Sequence, residues 1–169
     1  MHRTSSVLIA ALVFITALTT GTWAHAQDVR IGELSALDHR YMAQQRALLE
    51  DITLRRLGRG FSGDRERDIA LLQDVLDRRL VSASQTRELQ AMGLILGEHL
   101  AEALDMHWVI YEDAQGRSRA LRYGDTENYL FPMTMISRRV EAGSTTPVQE
   151  IYRKAYNIID AARPALPFR

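Results

Sequence analysis

The stretch Met92–Arg139, MGLILGEHLAEALDMHWVIYEDAQGRSRALRYGDTENYLFPMTMISRR, decides the fold of this chain. It opens in a helical pattern. Leu89, Met92, Gly93, Leu96, Leu100, Ala103 and Leu104 fall on one stripe, while Leu94 and Ile95 carry the apolar surface round the other side. The spacing predicts a helix from about Gln85 to Leu104, buried along most of its circumference. Gly93 and Gly97 lie one turn apart within it. Glycine costs about 1 kcal/mol relative to alanine in a helix interior, so two of them imply the close approach of another backbone. The period then changes to two. Met106 to Glu112 alternates, with Trp108 and Ile110 on one side and His107, Val109 and Tyr111 on the other. Asp113-Ala114-Gln115-Gly116 has the chemistry of a tight turn, Arg117 to Tyr123 returns as the partner strand, and Tyr129-Leu130-Phe131 is a candidate third strand. Pro132 suits the first turn of a helix whose inner stripe is Met133, Ile136 and Val140, with Gly143 as terminator.

Working outward, Glu33 to Leu57 is helical, with Leu34, Leu37, Tyr41, Leu48 and Ile52 as its stripe and Ser35-x-x-Asp38 as a capping box. Arg55, Arg56 and Arg59 complement the helix dipole at its end. Three glycines between Gly58 and Gly63 make a loop that lacks the Gly-Lys-Ser/Thr ending of a phosphate cradle. Asp64 caps a second helix, Arg65 to Arg79, and Ser82 or Ser84 is the expected cap of the third. Val148, Ile151, Tyr152, Ala155, Ile158 and Ile159 mark a last helix that ends before Pro164 and Pro167. The fold class is α+β: a single domain with helices packed around a small antiparallel sheet of two or three strands. Residues 27–63 form an N-terminal helical extension, 64–162 the α+β domain and 163–169 a flexible tail.

The first 26 residues have the composition of an export signal. His2 and Arg3 precede the apolar run Val7 to Leu18, and Ala24-His25-Ala26 fits a small-x-small cleavage site. Twelve apolar residues span roughly 18 Å as a helix, short of a bilayer core, so no stable membrane anchor is expected after cleavage near Ala26. The expected location is periplasmic or secreted. With no cysteine in the chain, disulfides, zinc–thiolate sites, lipid-modified cysteine and cysteine nucleophiles are excluded. Basic and acidic residues balance at 21 each, which leaves no nucleic-acid footprint and no polybasic membrane patch.

Several motifs occur in a recognisable order. They are Leu72-Gln73-x-Val75-Leu76-Asp77, then Leu89-Gln90-x-Met92-Gly93-Leu94-x-x-Gly97-Glu98, then Trp108, Glu112-Asp113-x-x-Gly116 and Ala120-Leu121-Arg122. Phe131-Pro132-x-x-Met135-Ile136-x-x-Arg139-Val140-Glu141 closes the set. From roughly Leu71 to Tyr152 the chain resembles an uncharacterised bacterial family, domain of unknown function 3806. The resemblance implies a fold and a domain boundary. It carries no reaction, ligand or catalytic residue to transfer, and it leaves 27–63 outside.

The densest group of ligand-type residues is Glu98, His99, Glu102, Asp105 and His107. His99 and Glu102 are spaced to face one metal, with His107 arriving from the strand, but no His-Glu-x-x-His pattern is present. These three are weak metal candidates, set against a polar solvent face on the helix; no metal or cofactor is implied. Glu98 abuts the apolar run, so burial would demand a partner, and an arginine is the natural one. Adjacent helical residues differ by about 100°, so Arg138 and Arg139 cannot share a face. One is expected to turn inward to Glu98, Glu112 or Asp113, or to clamp a carboxylate ligand. Trp108 is expected as a packing residue beside the glycine-bearing helix. No Gly-x-Ser-x-Gly elbow is present, so no catalytic residue is assigned.

Two readings follow. The first is a periplasmic binding or protein-interaction module that recognises a protein or small anionic ligand of the envelope. Its candidate residues are Glu98, Trp108, Arg122, Arg138 and Arg139. The second is an envelope-acting hydrolase with Glu98 and Asp113 as a carboxylate pair, which requires the two groups to converge in one pocket.

Overall fold

The computed structural model describes residues 29–163; the expected signal segment 1–26 and the expected tail beyond Arg163 lie outside them. Its elements, in chain order, are β1 (Arg30–Gly32), α1 (Ala36–Leu57), α2 (Arg65–Asp77), α3 (Thr86–Leu104), β2 (Met106–Asp113), β3 (Gly116–Tyr123), β4 (Tyr129–Leu130), α4 (Pro132–Met135), α5 (Ser137–Glu141) and α6 (Val148–Ala162). The fold is α+β. The sheet has four antiparallel strands in the order β1-β2-β3-β4, one or two more than expected. The additional strand is β1, three residues that pair Ile31 with Tyr111, too short to show a period of its own.

α3 is the centre of the molecule. Ala91 to Gly97 are buried without a break, and Leu89, His99, Leu100 and Leu104 extend that surface. The two glycines are there for close packing. A Cβ on Gly93 would stand 2.4 Å from the carbonyl oxygen of Pro132 and 2.8 Å from that of Met133. On Gly97 it would meet the Pro132 Cβ and the Trp108 ring, both at 2.7 Å. So α4 lies backbone-first on Gly93, and the β2 tryptophan seats on Gly97.

Paired residues of an antiparallel ladder point to the same side, so Trp108, Leu121 and Leu130 share the sheet face that meets α3. His107, Val109, Tyr111, Ser118, Ala120, Arg122 and Tyr129 share the other. There Tyr111 makes edge-on contacts with Tyr129 and Phe131, at centroid distances of 5.0 and 5.2 Å. The hairpin turn is as expected: Asp113 pairs with Gly116, and Asp113 Oδ1 accepts from the Gln115 amide. α6 is strongly amphipathic, burying Val148, Ile151, Tyr152, Ala155 and Ile159, while its Ile158 is exposed.

Three expectations need correction. The inner face of α1 is not the Leu37–Ile52 stripe: Leu37 is 71% exposed, and the buried positions are Asp38, Gln45, Leu49 and Thr53. That face is turned by roughly 80° at 100° per residue, and it buries three polar side chains around the one core leucine, Leu49. The expected 132–140 helix is broken at Ile136 into α4 and α5. Finally, α3 has Gln85 at its N-cap position with no side-chain cap, and Ser82 is engaged with the Gln85 side chain instead. The Ser35–Asp38 capping box and the Asp64 cap are present as expected. No helix of the described residues is long and apolar enough to cross a membrane.

Candidate functional site

The hairpin end of the sheet, together with α1, α3 and α4, encloses a cavity of about 540 Å³. Its charged lining is Arg117, Arg119, Arg138 and Asp113, and Tyr41, Tyr111 and Phe131 supply aromatic walls. The volume falls within the range of ligand sites, ~300–1,000 Å³.

Arg117 and Arg119 are held from below by Asp38. The capping box positions this carboxylate at the first turn of α1, where Oδ2 accepts from the Ser35 amide and hydroxyl at 3.0 and 2.6 Å. The same group accepts from Arg117 in a two-pronged contact, 3.0 Å to Oδ1 and 2.6 Å to Oδ2. Arg119 adds a third guanidinium contact at 2.8 Å and lies over the Tyr41 ring, 4.1 Å from its centroid. Arg117 holds the Asp38 carboxyl well below the usual carboxylate range; burial opposes the shift and Ser35 assists it. One carboxylate is thus shared by two guanidiniums. The Arg119 Nε is buried without a hydrogen-bond partner among the described residues. Arg138 is exposed on the wall of the same cavity.

A second polar centre is buried, away from this cavity. His99, expected on a solvent face, is 6% exposed, and its Nε2 lies 3.1 Å from Asp68 Oδ2. Asp68 also accepts from the Ser62 amide (2.8 Å) and hydroxyl (3.1 Å) and from the Gly63 amide (2.9 Å). Burial raises its pKa, but the Ser62 and Gly63 amides, the Ser62 hydroxyl and His99 outweigh that, leaving it lowered. This centre fastens the 58–63 loop to α3.

The sequence candidates are dispersed. Glu98 pairs with Arg46 of α1, not with Arg138, Arg139, Glu112 or Asp113. Partial burial pushes its carboxyl up, against the pull of Arg46. Trp108 is half-buried against Gly97. Arg122 donates to the Thr126 and Asp125 carbonyls, both at 2.8 Å, and so braces the β3–β4 turn. Arg139 donates to the Met135 carbonyl at 2.5 Å and lines a separate cleft of about 420 Å³ between the α2–α3 and α5–α6 connections. Only Arg138 stands at the larger cavity. Asp113 lines that cavity and Glu98 does not, so the proposed carboxylate pair is not brought together there. His99, Glu102 and His107 are not gathered either: Glu102 and His107 are exposed, and among the described residues no three His, Asp or Glu side chains are grouped to hold a metal.

Asp38, Arg117 and Arg119 did not figure as candidates. Asp38 reads as a cap, which it is, and its second role is invisible from 79 residues away. The available signal was Arg117-x-Arg119, two arginines at strand period that share one face.

Comparison with known proteins supports the fold. A crystal structure of a protein from Bacteroides thetaiotaomicron VPI-5482 superposes with a TM-score of 0.67 at 20% identity, covering 75% of this chain and 47% of that one. This chain therefore spans about half the length of that protein, and the likeness is one of fold. No curated protein matches the chain. The model of the family described as Domain of unknown function (DUF3806) matches residues 68–152, from the buried Asp68 to Tyr152 on α6. That match takes in α3, the hairpin and α4, half of the chain, and the protein belongs to this family.

Proposed function

We propose that this protein is an exported binding module that recognises an anionic ligand or protein segment at the hairpin-end cavity. The observation that carries the reading is the imbalance beneath it: two guanidiniums on the single carboxylate of Asp38, with Arg138 unpaired among the described residues beside them. Planar guanidiniums bind carboxylates with directional, two-pronged hydrogen bonds. Tyr41, Tyr111 and Phe131 add apolar walls for the non-ionic part of a ligand. Three guanidiniums set against two carboxylates, Asp38 beneath and Asp113 at the rim, suit holding an anion better than acid–base hydrolysis.

Export supports an envelope role. The apolar run Val7 to Leu18 and the Ala24-His25-Ala26 motif predict a mature N-terminus at Gln27. Cell fractionation followed by N-terminal sequencing tests this.

The binding test uses glutarate as a minimal dianion and isothermal calorimetry on the purified protein. Binding that is lost in Arg138→Glu and kept in Arg122→Gln supports the reading. No heat up to millimolar glutarate, and none with acidic peptides, overturns it.

A further inference from the structure

The cavity runs along an unfinished sheet edge. The Tyr123 amide donates to the Asn128 carbonyl at 3.1 Å, so the main chain of Tyr123 faces β4. In an antiparallel strand that orientation alternates, and the main-chain groups of Leu121, Arg119 and Arg117 face the same edge. β4 reaches no further than Leu130 opposite Leu121, because Pro132 has no N–H to extend the ladder and starts α4. Among the described residues, nothing pairs with the edge of Arg117 and Arg119. Both of these residues line the cavity.

We propose that this edge accepts an extended acidic peptide as a fifth antiparallel strand, next to β3. The idea rests on the binding reading above and names its ligand class. The register sets the pattern of the peptide. Residues opposite Arg117 and Arg119 share their sheet face, about 5–6 Å away, where an acidic side chain meets the two guanidiniums that share the single carboxylate of Asp38. The residue between them lies opposite Ser118, on the face of Tyr111 and its edge-on partner Phe131, and is apolar. The motif is acidic–apolar–acidic. A second copy of the same edge is disfavoured, since antiparallel self-pairing about Ser118 sets Arg117 against Arg119. Strand addition of this kind draws affinity from main-chain hydrogen bonds and specificity from alternate side chains.

The test uses the blocked peptide acetyl-Ala-Glu-Val-Glu-Ala-amide and two singly N-methylated versions. The glutamate amides point at β3, whereas the valine amide points away. N-methylation of one glutamate is expected to weaken binding by roughly tenfold or more, and N-methylation of the valine by less than about threefold. The amides of Arg117 and Arg119 become protected from hydrogen exchange on binding. Equal losses from both methylations overturn the strand proposal, as does glutarate binding as tightly as the peptide; in both cases the anion site itself survives. Absence of binding by peptide and glutarate alike removes the site as well.

Discussion

Asp38 of α1 and Arg117 of β3, 79 residues apart, are joined by a two-pronged ion pair with the carboxylate 2% exposed. This contact ties the segment outside the family match to the hairpin inside it. Removing the charge leaves Arg117 and Arg119 facing a neutral amide. Asp38→Asn is therefore expected to lower stability at pH 7 by about 1–3 kcal/mol, read as a reduced urea midpoint. The effect has a pH signature. The native carboxyl is held below its unfolded value of about 3.9, so its contribution is complete above that pH and is lost as pH falls toward the native pKa. The gap between the two proteins should narrow below pH 4. A gap that is constant from pH 7 to pH 3 contradicts an electrostatic origin.

Asp68 and His99 form the second long-range polar tie, and here the loss is local as well as global. Asp68→Ala removes the acceptor for the Ser62 and Gly63 amides and leaves a buried imidazole unpaired. The expected cost is about 3 kcal/mol, within the range for breaking a buried charged network. The 58–63 loop also holds Arg59, whose side chain pairs with Asp74. With the loop released, trypsin should cut after Arg59 well before global unfolding. An unchanged digestion pattern would place the loop's anchorage elsewhere, in the Arg59–Asp74 pair and the Phe61 amide on Glu50.

What could be read in advance divides by range. α2, α3 and the hairpin announce themselves through local period, the Asp64 cap of α2 and turn chemistry, and Gly93 and Gly97 signal close packing. The face of α1 did not, because three of its four buried positions, Asp38, Gln45 and Thr53, are polar and leave no apolar stripe, and Asp38 faces inward to meet Arg117 and Arg119 of β3. Glu98 was rightly expected to seek an arginine, but the arginine is Arg46, 52 residues away and not among those weighed. His99 failed for the same reason, since its partner is 31 residues distant. At the cavity Arg138 and Asp113 were legible beforehand, while Arg117, Arg119 and Asp38 were not. A strand arginine looks like ordinary solvent polarity until the helix that pairs with it is in place.

The two helix glycines should respond differently to the same substitution. At Gly93 an added methyl collides with the backbone carbonyls of Pro132 and Met133, which only a shift of α4 can relieve. At Gly97 the nearest atoms belong to the Pro132 and Trp108 side chains. Gly93→Ala is expected to cost about 3 kcal/mol, at the upper end for overpacking. Gly97→Ala should cost less and be partly rescued by Trp108→Leu, which opens space where the indole stood. Thermal melts of the single and double variants give the coupling. Rescue of Gly93→Ala by Trp108→Leu, or failure to rescue Gly97→Ala, would show that the close contacts are assigned to the wrong elements.

Arg79 offers the opposite outcome, a substitution that stabilises. α2 ends at Asp77 with Arg78 as its C-cap, and Arg79 follows with φ +52. The Leu80 amide donates to the Val75 carbonyl at 3.0 Å and the Arg79 amide to that of Leu76 at 2.9 Å, the two bonds of a Schellman ending. Glycine is the residue that this position favours. A side chain in the left-handed region costs about 1–2 kcal/mol, while glycine's extra freedom in the unfolded chain returns about 0.5–1 kcal/mol of that. Arg79→Gly is thus expected to gain about 0.5–1 kcal/mol, a rise of roughly 1–4 °C in Tm for a chain of this size. Asp105, also left-handed with φ +54, should gain less from glycine, because a short polar side chain tolerates that conformation better. If Arg79→Gly destabilises instead, the Arg79 side chain contributes to packing at the 420 Å³ cleft that it lines, and the gain from relaxing the backbone is smaller than that loss.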